Sequence, residues 1–253
     1  MRGSVLRLED VRCAFGEVEV FRGLSLEIAR GEFVAVVGPS GCGKTTLLNL
    51  CSGFVKPTGG SVERRGRIRT VYQQDGLFPW LTVAENVRLG LREVKGEPER
   101  EKRLAEMLSL IKMENFSGHY PHQLSGGMRQ RAELARALAG DTDVLLLDEP
   151  FSSLDYLTRL RLRNELARML SELPRTVVLV THDIEEAAQL ADRVVVLSDR
   201  PAGVISQHVM RLPRPRDPVH PEVVEAVHLV LAELGLRQDR AGVTKAGASS
   251  ASD

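Results

Sequence analysis

Polar and apolar residues alternate at positions 5–8 and 24–28, the pattern of strands with one face buried. Phe33-Val34-Ala35-Val36-Val37 is instead apolar without a break, and similar runs occupy 144–147, 176–180 and 193–197. Uninterrupted runs of this length suit parallel strands covered on both faces. Between them the period is helical. Residues 45–51 open a helix behind a glycine-rich turn, and from about 84 to 138 the pattern is helical throughout, with Leu104, Met107, Leu108 and Ile111 forming one stripe, read as a packing face inside a helical lobe. Leu162, Leu166, Met169, Leu170 and Leu173 form another. Such alternation predicts an α/β protein built on a parallel sheet. Pro57-Thr58-Gly59-Gly60 marks a turn, with short β pieces expected at 61–63 and 69–72. Beyond residue 197 the pattern weakens. Pro213, Pro215, Pro218 and Pro221 break up a linker, and Val223, Val227, Val230, Leu231 and Leu234 predict a last amphipathic helix. The end, 241–253, is small and polar and is expected to be disordered.

Three segments bear the chemistry. Gly38-Pro39-Ser40-Gly41-Cys42-Gly43-Lys44-Thr45-Thr46 follows the apolar strand and precedes a helix, the placement a phosphate-binding loop requires. Its backbone N–H groups and the helix N-terminus favour phosphate oxygens; Lys44 is expected to reach the β- and γ-phosphates and Thr45 to hold Mg²⁺. Further on, an apolar strand ends in Asp148-Glu149-Pro150. A carboxylate at a strand's C-terminal edge can hold a metal, directly or through water, so Asp148 is expected to serve the cation. Glu149, pointing differently after the pleat, is expected to polarise an attacking water. Ser125-Gly126-Gly127 begins a helix carrying Ala132, Ala135 and Leu138 on one side, and a hydroxyl with two bare N–H groups at a helix start makes a second anion site. Cys42, beside a helix N-terminus and Lys44, stands in surroundings that favour a thiolate.

Composition narrows the function classes. There are 34 basic and 34 acidic residues, so no overall charge draws the chain to nucleic acid or anionic lipid. The longest apolar runs fall far short of the roughly 18 residues of a membrane span. The N-terminal residues contain no apolar signal core, which leads to the expectation of a cytoplasmic protein. Cys13, Cys42 and Cys51 are odd in number and lack a C-x-x-C pair, so they are read as reduced thiols.

The ordered set of phosphate loop, Leu124-Ser125-Gly126-Gly127-Met128-Arg129-Gln130-Arg131, and Val144-Leu145-Leu146-Leu147-Asp148-Glu149-Pro150 resembles the ATP-binding cassette family over residues 5–197. The resemblance implies a P-loop NTPase fold with a RecA-like core sheet, an antiparallel β subdomain and an α-helical signature subdomain. The expected boundaries are one domain over 1–240, a helical subdomain about 84–140 and a C-terminal extension about 200–240. It also implies ATP and Mg²⁺ as cofactors. Gln73 is implied as a ligand of Mg²⁺ and water, chosen over Gln74 by its spacing to Leu77-Phe78-Pro79-Trp80. His182, in Thr181-His182-Asp183, is implied to contact the γ-phosphate; Lys44 and Glu149 complete the implied catalytic set. Phe15 has two readings, an ordinary core side chain or the adenine platform, and the resemblance implies the second. Because one ATP does not need two cradles from one chain, the resemblance implies a head-to-tail homodimer. In it, Ser125, Gly126 and Gly127 act on the partner chain's ATP and Asp155 links the two sites. The segment around Trp80 is implied to line a groove for a short helix of a membrane permease.

Arg200-Pro201-Ala202-Gly203-Val204-Ile205, Pro121-His122-Gln123 and Phe78-Pro79-Trp80 resemble the nitrate, sulfonate and taurine importer branch. The expected protein is the ATPase subunit of an importer, peripheral on the cytoplasmic face of the membrane, served by permease subunits and, indirectly, by an extracytoplasmic solute-binding protein. Importers of other small nutrients, such as thiamine precursors, and exporters share much of this pattern. A soluble cassette ATPase acting on nucleic acid fits less well: only about eighty residues separate phosphate loop and signature, without the sustained heptads of a coiled coil.

Overall fold

The computed structural model describes residues 3–73, 76–214 and 216–236. The tail expected from 241 to 253, together with Gln74 and Pro215, lies outside the described residues.

Strand β3 (Phe33–Val37) shows why its sequence is apolar at every position. Phe33, Ala35 and Val37 face one hydrophobic cluster, Val34 and Val36 another. The same division runs through β6 (Val144–Asp148), β7 (Thr176–Val180) and β8 (Arg193–Leu197). These strands join β5 (Ile68–Val71) and β9 (Val204–Val209) in a six-stranded sheet ordered β5-β6-β7-β3-β8-β9. All neighbours pair parallel except β8 and β9.

On one face lie helices α2 (Val83–Gly90), α3 (Glu97–Leu110), α4 (Gly126–Ala139), α5 (Tyr156–Glu172) and α6 (Ile184–Leu190), whose apolar residues fill the larger cluster. The other face packs on α1 (Lys44–Ser52) and on a three-stranded antiparallel sheet, β2-β1-β4, formed by β1 (Ser4–Phe15), β2 (Val18–Ala29) and β4 (Gly59–Arg64). A last helix, α7 (Pro221–Glu233), buries Val223, Ala226 and Val230. Proline at its first turn fits, since that N–H needs no helical partner. Among the described residues no helix is long and apolar enough to cross a membrane.

The structure extends the sequence reading in two places. β1 and β2 run 12 residues each, joined by Gly16-Glu17, where alternation showed only four or five. Register shifts at Leu8/Val11 and Cys13/Ala14, with Asp10 at φ 45°, break the period and hide the strands. Secondly, the sheet does not stop at Leu197. β9 adds an antiparallel edge; its half-exposed Val-Ile-Ser-Gln-His-Val gives little hydrophobic signal.

Candidate active site

The C-terminal ends of β3, β6 and β7 lie side by side, at the edge where α/β sheets bind ligands. β3 leads directly into the phosphate loop. Gly43, the residue before α1, has φ 117°, and a Cβ there would stand 2.5 Å from Val20 Cγ1. Only glycine passes β2 so closely in this conformation. No side chain caps α1, so its first N–H groups remain for a ligand. Lys44 is buried, and its Nζ donates to the carbonyls of Gly38 (2.9 Å) and Pro39 (3.0 Å), which holds the ammonium over the loop.

Thr45 Oγ1 donates to Asp148 Oδ1 at 3.3 Å, joining the start of α1 to the end of β6. Burial pushes the Asp148 carboxyl above its usual range; the Thr45 hydrogen bond opposes this, the Glu149 charge adds to it, and Lys44 opposes it. A hydroxyl and a carboxylate are hard oxygen donors, and the Gln73 amide can offer a third. Among the described residues there is no cluster of three or more His, Cys, Asp or Glu able to hold a metal. The donor set therefore fits Mg²⁺ completed by phosphate and water, not an ion enclosed by protein alone.

Glu149 turns away from its neighbour. Its φ of 45° is rare for a residue with a side chain, and Pro150 after it restricts the backbone further. The turn is secured by Glu149 N donating to Val180 O at 2.9 Å. Glu149 Oε2 then lies 3.0 Å from His182 Nδ1 and 3.5 Å from Gln73 Nε2. Gln73 also donates to Ser152 Oγ at 3.3 Å. Among the described residues Gln73 has no hydrogen bond to Thr45 or Asp148, so it stands on the Glu149 side of the site. Ser152 was not singled out by sequence; its position three residues past Glu149, in a turn held by its own bond to Glu149 O, was the available signal.

A cleft of about 760 Å³ opens here, lined by Gln73, Glu149, Ser152 and His182 from the sheet side and by Gly126, Arg129 and Gln130 from α4. Ser125 caps α4 by accepting from Met128 N at 3.3 Å. The two glycines after it have a structural reason. A Cβ at Gly126 would meet Leu154 Cδ2, and one at Gly127 would meet Thr158 Cγ2, each at 3.0 Å. Asp155 caps α5 by accepting from Thr158 N.

Phe15 sits at the tip of the β1–β2 hairpin and is 52% exposed, which removes the core reading. Cys42 corrects an expectation. It is buried, with its sulfur packed against Gly38, and burial pushes its thiol up despite Lys44. Desolvation outweighs the helix terminus and the ammonium, so the surroundings favour the thiol. Cys13 and Cys51 are likewise free and buried.

Just ahead of α2, Phe78-Pro79-Trp80-Leu81 forms a turn, with Leu81 N donating to Phe78 O at 3.1 Å. The fully buried Asn86 holds it: Oδ1 accepts from Phe78 N (2.8 Å), and Nδ2 lies within 3.2 Å of the Phe78, Leu81 and Thr82 carbonyls. Trp80 is 69% exposed, 5.3 Å from the Phe78 ring. Two clefts flank the turn, one lined by Phe78, Tyr72 and Arg136, the other by Leu77, Pro79 and Pro121. Trp80 lines neither.

The profile of the ABC transporter family matches residues 21–152. The aliphatic sulfonates import ATP-binding protein SsuB 1 of Agrobacterium fabrum is 42% identical, over 92% of this chain and 84% of its own. The taurine import ATP-binding protein TauB of Pelagibacter ubique is 40% identical over 76% of each. Among solved structures, a dimeric ATP-binding cassette in a post-hydrolysis state, bound to ADP and Pi, superimposes with a TM-score of 0.70 at 36% identity, over 82% of this chain and 99% of its own.

Proposed function

The chain belongs to the ABC transporter family, and from that premise we propose that it is the ATP-hydrolysing subunit of an importer. It works as a head-to-tail homodimer on membrane permease subunits, at the cytoplasmic face of the membrane. The observation carrying this reading is Glu149, fixed by His182 and Gln73 beside the Thr45–Asp148 pair. The sulfonate and taurine import relatives support uptake of small anions of the nitrate, sulfonate and taurine type, delivered by an extracytoplasmic binding protein.

The nucleotide's phosphates lie along residues 38–46, with Lys44 leaving the Gly38 and Pro39 carbonyls to meet the β- and γ-oxygens. Thr45 and Asp148, with Gln73, would hold Mg²⁺, which when bound neutralises phosphate charge. Glu149 is the general base. With Oε2 engaged by His182 and Gln73, Oε1 is left to accept the proton of the attacking water. His182 Nδ1 lies 3.0 Å from Glu149 Oε2, which leaves Nε2 to meet a γ-phosphate oxygen. Ser125, Gly126 and Gly127 face the partner's ATP, Phe15 stacks on adenine, and Phe78 with Trp80 meets the permease helix.

The test is ATP hydrolysis by the purified chain, alone, with its permease in proteoliposomes, and with DNA or RNA. Stimulation by the permease complex and none by nucleic acid is expected; the reverse sinks the importer reading.

A further inference from the structure

His182 is half exposed, yet its two neighbours in the chain are clamped. Thr181, buried at the end of β7, donates its backbone N–H to Val36 O on β3 at 3.2 Å. Its Oγ1 accepts from Asp183 N at 3.0 Å and donates to Glu186 Oε2 at 2.6 Å. Asp183 Oδ1 caps α6 by accepting from Glu186 N at 3.0 Å. Asp183 Oδ2 is paired with the buried guanidinium of Arg163 and, at 3.5 Å, with Arg159 Nη1, both on α5. Glu186 is thus the buried end of a chain of hydrogen bonds that closes around the His182 turn.

This arrangement is costly for a purely structural one. Glu186 is 2% exposed, and its Oε1 has no hydrogen-bond partner among the described residues; Arg163 Nε is also unpartnered. A buried carboxyl with one oxygen unsatisfied stabilises less than an apolar side chain of its size.

We propose that Glu186 is a positioning residue for ATP hydrolysis, holding the Thr181 hydroxyl and through it the backbone turn that aims His182 at Glu149. The inference rests on the roles given above to His182 and Glu149. The carboxyl is also a graded device. Burial raises it to about 7, with Asp183 adding to the rise and the Thr181 bond, Arg163 and Arg159 opposing it. Near neutral pH it passes between a neutral acceptor and an anion, which holds the Thr181 hydroxyl more strongly.

The experiment measures kcat and KM for MgATP between pH 6 and 9, with melting temperatures, for Glu186→Gln, Thr181→Val, their double variant, Thr181→Ser and His182→Ala. Glu186→Gln and Thr181→Val should each lower kcat about five- to twentyfold with KM within about twofold. The double variant should be no worse than the worse single, because both cut one linkage. Thr181→Ser should recover most of kcat, and the limb of the kcat profile near pH 7 should vanish in Glu186→Gln. Parent-like kcat and pH profile in both single variants, with His182→Ala inactive, overturns the role of Glu186 alone. So does a kcat loss that merely tracks a lower melting temperature and a raised KM. Full activity in His182→Ala overturns the underlying reading of the site instead. If Glu186→Gln does not fold, the Thr181→Val and Thr181→Ser pair decides.

Discussion

Asp148 and Glu149 are adjacent in the chain but serve different partners: Asp148 Oδ1 meets Thr45 Oγ1 at 3.3 Å, and Glu149 Oε2 meets His182 Nδ1 at 3.0 Å. The left-handed backbone of Glu149 separates them, since a continued strand would have kept it in the sheet. Two carboxylates in succession thereby reach different sides of the site, one toward Thr45 and the other toward His182.

Glu149→Gln should retain nucleotide binding and lower turnover by about a hundredfold or more, because the amide keeps the shape but cannot take a proton. Loss of a negative charge also eases closure, so light scattering should show an ATP-dependent dimer. Lys44→Ala should show none. Parent-like turnover in Glu149→Gln would remove it from the base role.

Cys42 should resist modification in the folded protein. Its thiol is buried and pushed up, and that of Cys51 is raised to about 12 by complete burial. At pH 7.5 a maleimide should label native protein slowly at all three cysteines and completely after denaturation, as read by mass spectrometry. Rapid labelling of Cys42 in folded protein would contradict the burial argument.

The Phe78–Trp80 turn and its support should separate cleanly. Trp80→Ala removes a side chain that is 69% exposed, so nucleotide affinity should stay within about twofold and melting temperature should barely change. Permease association and transport should fall. Asn86→Ala removes the acceptor of the Phe78 N–H and the donor to the Leu81 carbonyl, while the Phe78 and Thr82 carbonyls keep backbone partners, and should cost about 1–3 kcal/mol in denaturant unfolding. A Trp80→Ala protein that unfolds, or transports normally, would refute the docking role.

Glu186 should make stability depend on pH in the opposite sense to a salt-bridged carboxylate. Its folded value of about 7 lies above the ordinary 4.5, so the folded state binds the proton more tightly than the unfolded chain. The contribution is fully present below about 4.5 and is lost as pH rises through 7, by at most about 3 kcal/mol. Relative to the parent, Glu186→Gln should therefore gain stability from pH 5 to pH 8 while turning over more slowly. Parallel melting curves for the two proteins across that range would refute the buried titration.

By itself the sequence determined the parts whose cause is local. Apolar runs at β3, β6 and β7 required burial on both faces, and the Gly43-Lys44-Thr45 sequence required a turn with open N–H groups before a helix. The amphipathic stripes of α3 and α5 and the buried Ala132 and Ala135 of α4 were readable for the same reason. Only the tertiary structure decided what depends on residues far apart in the chain. Strand order brings Gln73, Glu149 and His182 together, although 76 and 33 positions separate the first and last from Glu149. Packing depth turned Cys42 from an expected thiolate into a buried thiol, because desolvation depends on β-strand and loop neighbours that composition does not reveal. Bulges hid the length of β1 and β2, and a half-exposed edge hid β9. The clamp around His182 was invisible for a related reason: Glu186, on a polar-looking helix start, is buried beside the pairing of Asp183 with Arg163 and Arg159, which α5 supplies from far back in the chain.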